Sequence, residues 1–339
     1  MSTLYVTSLE AGVGKTAVCA GLGGHLLNNG RKTGFFKPVI AGGEGLPVTG
    51  VDSDGIFMKR ILSLGEPLEH ICPFITDHAG LVDRVKQAYD RVSVDKDVVI
   101  VEGGDGGLAE ISLRVAEALD ARVIIVTACP GQLPGPELSD AAKGFGGYLL
   151  GVVLNRVPGR RVADIYDEIS RQPGRVGVDI LGVFPEDRVL LALTVGELAE
   201  WVEGEIISSP DKSEELVESL MLGAMVVDPG PEYFARKSGK AVVVRGERPD
   251  MQLAALETST RCLILTGGTP PVPVVLDSAR IKGVPIILVR DDTITTVNSI
   301  EQVLGKGRFN QEKKLPRLTA IMEEHFNFQA LDKGLGLVT

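Results

Sequence analysis

"SLEAGVGKT", Ser8 to Thr16, decides how the rest of the chain is read. It follows a short apolar run, Leu4–Thr7, and precedes a helical pattern, Thr16–Asn28. A loop in that position gathers backbone N–H groups and a helix N-terminus around phosphate oxygens. A lysine and a hydroxyl then follow at fixed offsets. Gly12 and Gly14 let the backbone curl close to an anion, Lys15 can reach the β and γ oxygens, and Thr16 can ligate Mg2+. Gly12, Val13, Gly14, Lys15, Thr16 and Ala17 are therefore the expected nucleotide contacts. The glycine that usually opens such a loop is missing: Leu9 stands in its place. Ser8, small and polar, is expected to make the turn one residue earlier. The competing reading is a glycine-rich turn that holds no ligand.

Around this loop, residues 1–205 alternate apolar runs with helical patterns, the signature of a parallel sheet flanked by helices. The expected strands are Leu4–Thr7, Thr33–Lys37, Val98–Glu102, Arg122–Thr127, Leu149–Leu154 and Asp179–Phe184. Several are apolar on both faces, as central parallel strands are. Helices are expected at Thr16–Asn28, Asp54–Leu64, Leu108–Leu119 and Leu193–Glu203. "GEIISSPDKSEE", Gly204–Glu215, reads as a linker because of its Ser-Ser-Pro and charge run. A second alternation follows, with strands at Ala241–Arg245, Cys262–Thr266 and Pro285–Val289. Helices separate them at Asp250–Thr258, Val274–Lys282 and Thr295–Leu304. After Gly305 the chain is polar, with a helical pattern at Leu315–His325 and an end expected to fray. The expected division is 1–205, 206–325 and a tail 326–339.

Composition limits the function classes. The 339 residues are 44% hydrophobic and 24% charged, ordinary for a globular α/β protein of two domains. A net charge of −10 argues against general binding to nucleic acid or an anionic membrane. The longest apolar runs are too short to span a bilayer. The opening MSTLYVTS has no basic segment with a cleavage site, so no signal peptide is expected. Cys19, Cys72, Cys129 and Cys262 lie far apart, mostly in apolar segments, and read as reduced core thiols of a cytoplasmic protein.

A nucleotide site also needs carboxylates for its metal. "VVIVEGGDGG" ends an apolar strand with Glu102, and four glycines surround Asp105. A carboxylate at the C-terminal end of a parallel strand faces the crevice where such sheets bind ligands. Glu102 is the expected Mg2+-side carboxylate, with helix capping as the alternative. "GVDSDG" offers Asp52 and Asp54, either as metal ligands, directly or through water, or as an N-cap pair. In "GFFKPV", Lys37 closes a strand and would stabilise charge on a transferring phosphoryl group, or else is a solvated surface lysine. Asn155 in "GVVLNRVP" could pair with a base edge or cap its turn. His70, Cys72 and His78 match metal spacing only loosely, and scattered structural residues are the better reading.

These pieces, together with "LGVFPEDRVLLALTVGELAE", occur in the order found in dethiobiotin synthetase-like P-loop proteins. Residues 1–205 look closest to the form that opens the long bacterial phosphate acetyltransferases. The resemblance implies phosphate contacts for Lys15, Thr16 and Lys37, with the two lysines catalytic. It also implies Mg2+ contacts for Thr16, Asp54 and Glu102, an adenine contact for Asn155, and ATP as the nucleotide. Partition ATPases carry a second lysine early in the loop. Here that place holds Glu10, which disfavours that branch. The second part, about residues 213–325, is similar to the DRTGG domain, although "GERPD" stands where the naming motif would read Asp-Arg-Thr. It offers Arg245, Arg248, Asp250, Thr266, Asp291, Thr295 and Thr296 at strand ends.

In the long acetyltransferases these two parts precede a catalytic domain. The sequence ends at Thr339, so phosphotransacetylase activity is not expected of it. Two functions are expected instead. One is a regulatory or accessory module that responds to Mg-ATP, dimeric, with a metabolic enzyme as partner. The other is an ATP-dependent ligase, like dethiobiotin synthetase or cobyrinic acid a,c-diamide synthase, which activates a carboxylate or carbamate of a small-molecule acceptor. The acceptor cannot be named from the sequence.

Overall fold

The computed structural model describes residues 1–40, 52–75, 80–104, 109–171, 178–224, 230–304 and 307–337. Asp105 and His78, singled out above, lie outside the described residues. The chain divides into two units, residues 1–186 with 309–339, and residues 187–308.

The first unit is built on a parallel sheet. In chain order its elements are β1 (Ser2–Ser8), α1 (Lys15–Asn28), β2 (Thr33–Phe36), β3 (Val39–Ile40), α2 (Ser53–Ile61), α3 (Leu68–Ile71), β4 (Phe74–Ile75), α4 (Leu81–Val92), β5 (Val98–Glu102), α5 (Ala109–Ala118), β6 (Ala121–Ala128), α6 (Pro136–Phe145), β7 (Leu149–Val157), α7 (Val162–Arg171) and β8 (Ile180–Pro185). The six long strands run in the order β2-β5-β1-β6-β7-β8, while β3 and β4 form a separate pair. β5 is buried along its whole length and β1 almost so, which explains why their sequences do not alternate. From β1 the chain crosses towards β2, and from β5 it crosses back past β1 to β6. Right-handed crossovers therefore place α1 on one face and α5 on the other. The C-terminal end of β1 is the switch point where such sheets open a crevice.

One apolar core joins the sheet to α4–α7 through Tyr89, Val115, Phe145 and Ile165, among others. On the opposite face, rightward crossovers leave β7 and β8 without a helix of their own. The C-terminal segment fills that role. The helix Leu315–His325 buries Leu318, Ile321 and Met322 and packs on α1 and β8. Phe326 bridges antiparallel to Gly182, and Ser2 Oγ donates to the Leu335 carbonyl at 2.8 Å. The end expected to fray is thus a structural layer of the first unit as far as the described residues run.

The second unit holds β9 (Leu193–Thr194), β10 (Glu205–Ser208), β11 (Leu216–Val217), β12 (Ser219–Leu222), β13 (Lys240–Arg245), β14 (Thr260–Thr266) and β15 (Ile286–Leu288). Its main sheet runs β10-β15-β14-β13-β12, parallel except for β10. The first part of the segment read as a linker, Glu205–Ser208, is thus an antiparallel edge strand; Ile206 pairs with Ile287. The helix Val195–Trp201, expected to close the first unit, belongs to the second. Leu198, Ala199 and Val202 share a core with Val217, Val243 and Ile287. Thr194 and Glu197 form a capping box at its start.

Candidate functional site

The loop leaves the end of β1 at Ser8 and enters α1 at Lys15. Gly12 has φ +68° and Gly14 φ +97°, conformations that side chains resist. A Cβ on Gly14 would sit 2.4 Å from Asn155 Nδ2. Asn155 lies near the end of β7 and donates to the Val13 carbonyl at 2.7 Å, while its own Oδ1 accepts from Arg156 N at 2.9 Å. Its amide therefore braces the loop from below. Nothing local in the sequence announced this, because the two partners are 142 residues apart.

The missing opening glycine has a physical account. Leu9 packs against the core between the sheet and α4–α7. Together with Thr7, Ser8, Ser112, Ile125 and Phe145 it lines a cavity of about 300 Å3. Ser8 makes the turn: its Oγ donates to the Glu10 carbonyl at 2.7 Å and accepts from Lys15 Nζ at 2.9 Å. The Lys15 side chain is thus folded back along the loop and buried.

Four charged groups meet beside the loop. Thr16 Oγ1 donates to Glu102 Oε1 at 2.9 Å and lies 3.4 Å from Asp54 Oδ2. Lys37 Nζ, one residue past the end of β2, sits 2.6 Å from Asp54 Oδ2, 3.0 Å from Asp52 Oδ2 and 3.3 Å from Glu102 Oε1. Asp52 is the N-cap considered for it, and it also faces Lys37. Its Oδ1 caps α2 by accepting from Asp54 N and Gly55 N, and its Oδ2 faces Lys37. Burial works against the Lys37 ammonium, but Glu102, Asp54 and Asp52 outweigh it and hold its pKa well above the ordinary lysine value. Burial also pushes the Glu102 carboxyl up, with Lys37 pulling the other way.

Whether a divalent cation with a nucleotide fits here turns on two observations. Glu102 Oε2 is buried with no hydrogen-bond partner, a costly state that a metal-bound water or the metal itself would relieve. Lys37 already places a positive charge among three carboxylates, a stand-in for a cation. Among the described residues no three His, Cys, Asp or Glu side chains by themselves form a metal-binding group. A hydroxyl, one or two carboxylates and phosphate oxygens are the donor set that Mg2+ takes, with waters completing its shell. The residues fit. Thr16, Asp54 and Glu102, expected as metal ligands, lie together with Lys37, and Lys15 is near enough to Glu102 to favour its charged form.

An AAA domain family model matches residues 2–193, and a DRTGG domain model matches residues 197–303. The phosphate acetyltransferase of Pseudomonas aeruginosa is 27% identical, covering 99% of this chain and 52% of that protein. That of Nitrosomonas europaea is 26% identical with the same coverage. The ATP-dependent dethiobiotin synthetase BioD of Caldicellulosiruptor saccharolyticus is 24% identical over 55% of this chain and 88% of its own length. The chain spans about half the length of the acetyltransferases it matches. Among solved structures, the MinC:MinD cell division complex of Aquifex aeolicus aligns at 19% identity and TM-score 0.37, covering 56% of this chain and 84% of the other. The CBS and DRTGG domains of the regulatory region of Clostridium perfringens pyrophosphatase align at 11% and TM-score 0.31, covering 48% and 82%.

Proposed function

Since the chain belongs to the AAA domain family through residues 2–193, with a DRTGG domain behind them, we propose that its first unit binds Mg-ATP and that the protein is a nucleotide-responsive accessory module related to the N-terminal region of phosphate acetyltransferases. The observation that carries this reading is that Thr16 and Lys37 each lie within 2.6–3.4 Å of both Asp54 and Glu102 beside the loop. Lys15 leaves Ser8 for the β and γ oxygens, and the backbone of Gly12–Thr16 cradles the phosphates. Thr16, Asp54 and Glu102 would hold Mg2+, which when bound neutralises phosphate charge. Asn155 keeps the loop in shape and borders the nucleotide. The free, buried state of all four cysteines supports a reducing, cytoplasmic setting. Among the described residues no helix is long and apolar enough to cross a membrane. A homo-oligomer, with a metabolic enzyme as partner, completes the reading.

A second reading, an ATP-dependent C–N ligase, is favoured by the identity to dethiobiotin synthetase along most of that protein. Lys15 and Lys37 would then act on the transferring phosphoryl group, and a small acceptor would carry the carboxylate or carbamate. Calorimetry with Mg-ATP tests the shared premise. Lys15→Ala should weaken binding by about tenfold or more, the scale of one charge-assisted contact. Unchanged binding removes the lysine from the site. Turnover measured with bicarbonate and small amines separates the two readings: acceptor-dependent ADP release with a new C–N product supports the ligase, and tight binding without turnover supports the module.

A further inference from the structure

We propose that Lys37 is a tethered counter-ion that makes divalent-cation binding conditional on nucleotide. Without nucleotide its ammonium fills the seat between Asp52, Asp54 and Glu102. An arriving triphosphate gives the ammonium a second anionic partner, draws it off the carboxylates and opens them to the metal. The inference rests on the Mg-ATP reading and adds to it the order in which the site is filled.

The geometry supports each part. Lys37 hydrogen-bonds Asp54 Oδ2 at 2.6 Å and forms ion pairs with Asp52 Oδ2 at 3.0 Å and Glu102 Oε1 at 3.3 Å, so its charge is held among three carboxylates. Mg2+ demands oxygens at about 2.0–2.1 Å and carries twice the charge. A dication ligated by Asp54 and Glu102 would stand against the ammonium at close range, so the two cations exclude each other. Thr16 Oγ1 touches the same two carboxylate oxygens that Lys37 does, Asp54 Oδ2 and Glu102 Oε1. Lys37 therefore occupies the metal-facing side of the cluster and not its back.

The arrangement is also reversible. Lys37 pairs with Glu102 Oε1 only, and Oε2 is buried without a partner among the described residues. A hydrated metal could serve both oxygens, so the lysine is the poorer occupant once its charge is needed elsewhere. The root of the side chain is fixed: Lys37 N donates to the Ile71 carbonyl at 2.8 Å, and Val39 N donates to the Pro73 carbonyl at 3.0 Å. Exchange between carboxylates and phosphate is then a swing of the four-carbon stem, with no movement of β2.

The test uses the full chain and Mn2+ alone, read by loss of the free-ion electron paramagnetic resonance signal. Wild-type protein should take up Mn2+ only weakly. Lys37→Met, which keeps the length and removes the charge, should bind it more tightly by about tenfold or more, the scale of one charge-assisted contact. Adding Glu102→Gln to Lys37→Met should abolish the gain. Equal Mn2+ affinity in wild type and Lys37→Met overturns the proposal. If Lys37→Met does not fold, Lys37→Gln carries the same comparison, and tight Mn2+ uptake by nucleotide-free wild type overturns the proposal without any variant. ATP binding in EDTA separates this from the reading beneath it. If ATP does not bind at all, the nucleotide site fails; if ATP binds and Mn2+ uptake ignores Lys37, only the counter-ion role fails.

Discussion

Replacing Gly14 by alanine tests how the loop is held. Two costs are visible. The φ of +97° is one that a residue with a Cβ resists, at about 1–2 kcal/mol. The added Cβ would also stand 2.4 Å from Asn155 Nδ2, so the amide must move off the Val13 carbonyl. That forfeits about 0.5–1.5 kcal/mol of hydrogen bond. Together they come to about 1.5–3.5 kcal/mol, or roughly 10- to 400-fold in the affinity of any anion that needs the native loop. Gly12→Ala is the internal control. Gly12 has φ +68° but nothing within 4 Å of its Cβ position, so it carries the first cost alone. Calorimetry with ATP and with inorganic tripolyphosphate should rank wild type above Gly12→Ala, and Gly12→Ala above Gly14→Ala. In an Asn155→Ala background the Gly14→Ala penalty should shrink to that of Gly12→Ala, because the clash has lost its partner. Asn155→Ala alone should weaken tripolyphosphate as well as ATP, since it acts through the loop. If Gly14→Ala and Gly12→Ala lose equally, or if the double variant is additive, the bracing role of Asn155 is wrong. If Asn155→Ala affects ATP only, the asparagine acts on the base.

Three further outcomes follow from the packing and charges. Glu102→Gln should shift the Mg2+ dependence of nucleotide binding to higher metal by about tenfold, and overlaid titrations would take Glu102 out of the metal site. Met322→Ala should destabilise the first unit by about 2–5 kcal/mol in urea unfolding, since Met322 is buried against Gly21 of α1. A loss well below that range would mean that the C-terminal helix is not docked. Lys240 is buried and donates to Thr258 Oγ1 and the Ser259 carbonyl, and burial holds its pKa below the ordinary lysine value. The unfolded chain then binds that proton more readily, so stability should rise with pH from the depressed value up to about 10.4. Lys240→Met should lose that rise, and parallel pH profiles for the two proteins would refute the assignment.

The phosphate loop, the strands beside it and the identity of Lys15, Thr16, Lys37, Asp54 and Glu102 were legible in the sequence. Each depends on local chemistry: a glycine pattern between a strand and a helix, or a charged residue where an apolar run stops. The alternating pattern of the second unit was legible for the same reason. Other features were not legible locally. "EIIS" reads as linker beside its Ser-Ser-Pro, yet it is a strand because β15 offers an open edge. The helix Leu315–His325 was visible as a helix, but its place was not. It covers a sheet face that the chain's right-handed crossovers leave bare, and only the strand order reveals that vacancy.

The same division runs through the site. Sequence by itself picked out the groups proposed to hold a nucleotide and its metal, because that proposal is a matter of residue type at fixed spacing. Tertiary structure decided how those groups are held. Lys15 rests on Ser8, Asn155 grips the Val13 carbonyl, Leu9 turns into the core and Lys37 sits among Asp52, Asp54 and Glu102. Apart from Lys15 on Ser8 within the loop, these contacts join separate segments of the chain. Their energies come from distance, burial and competing charge, and those quantities exist only once the sheet has brought the strand ends together.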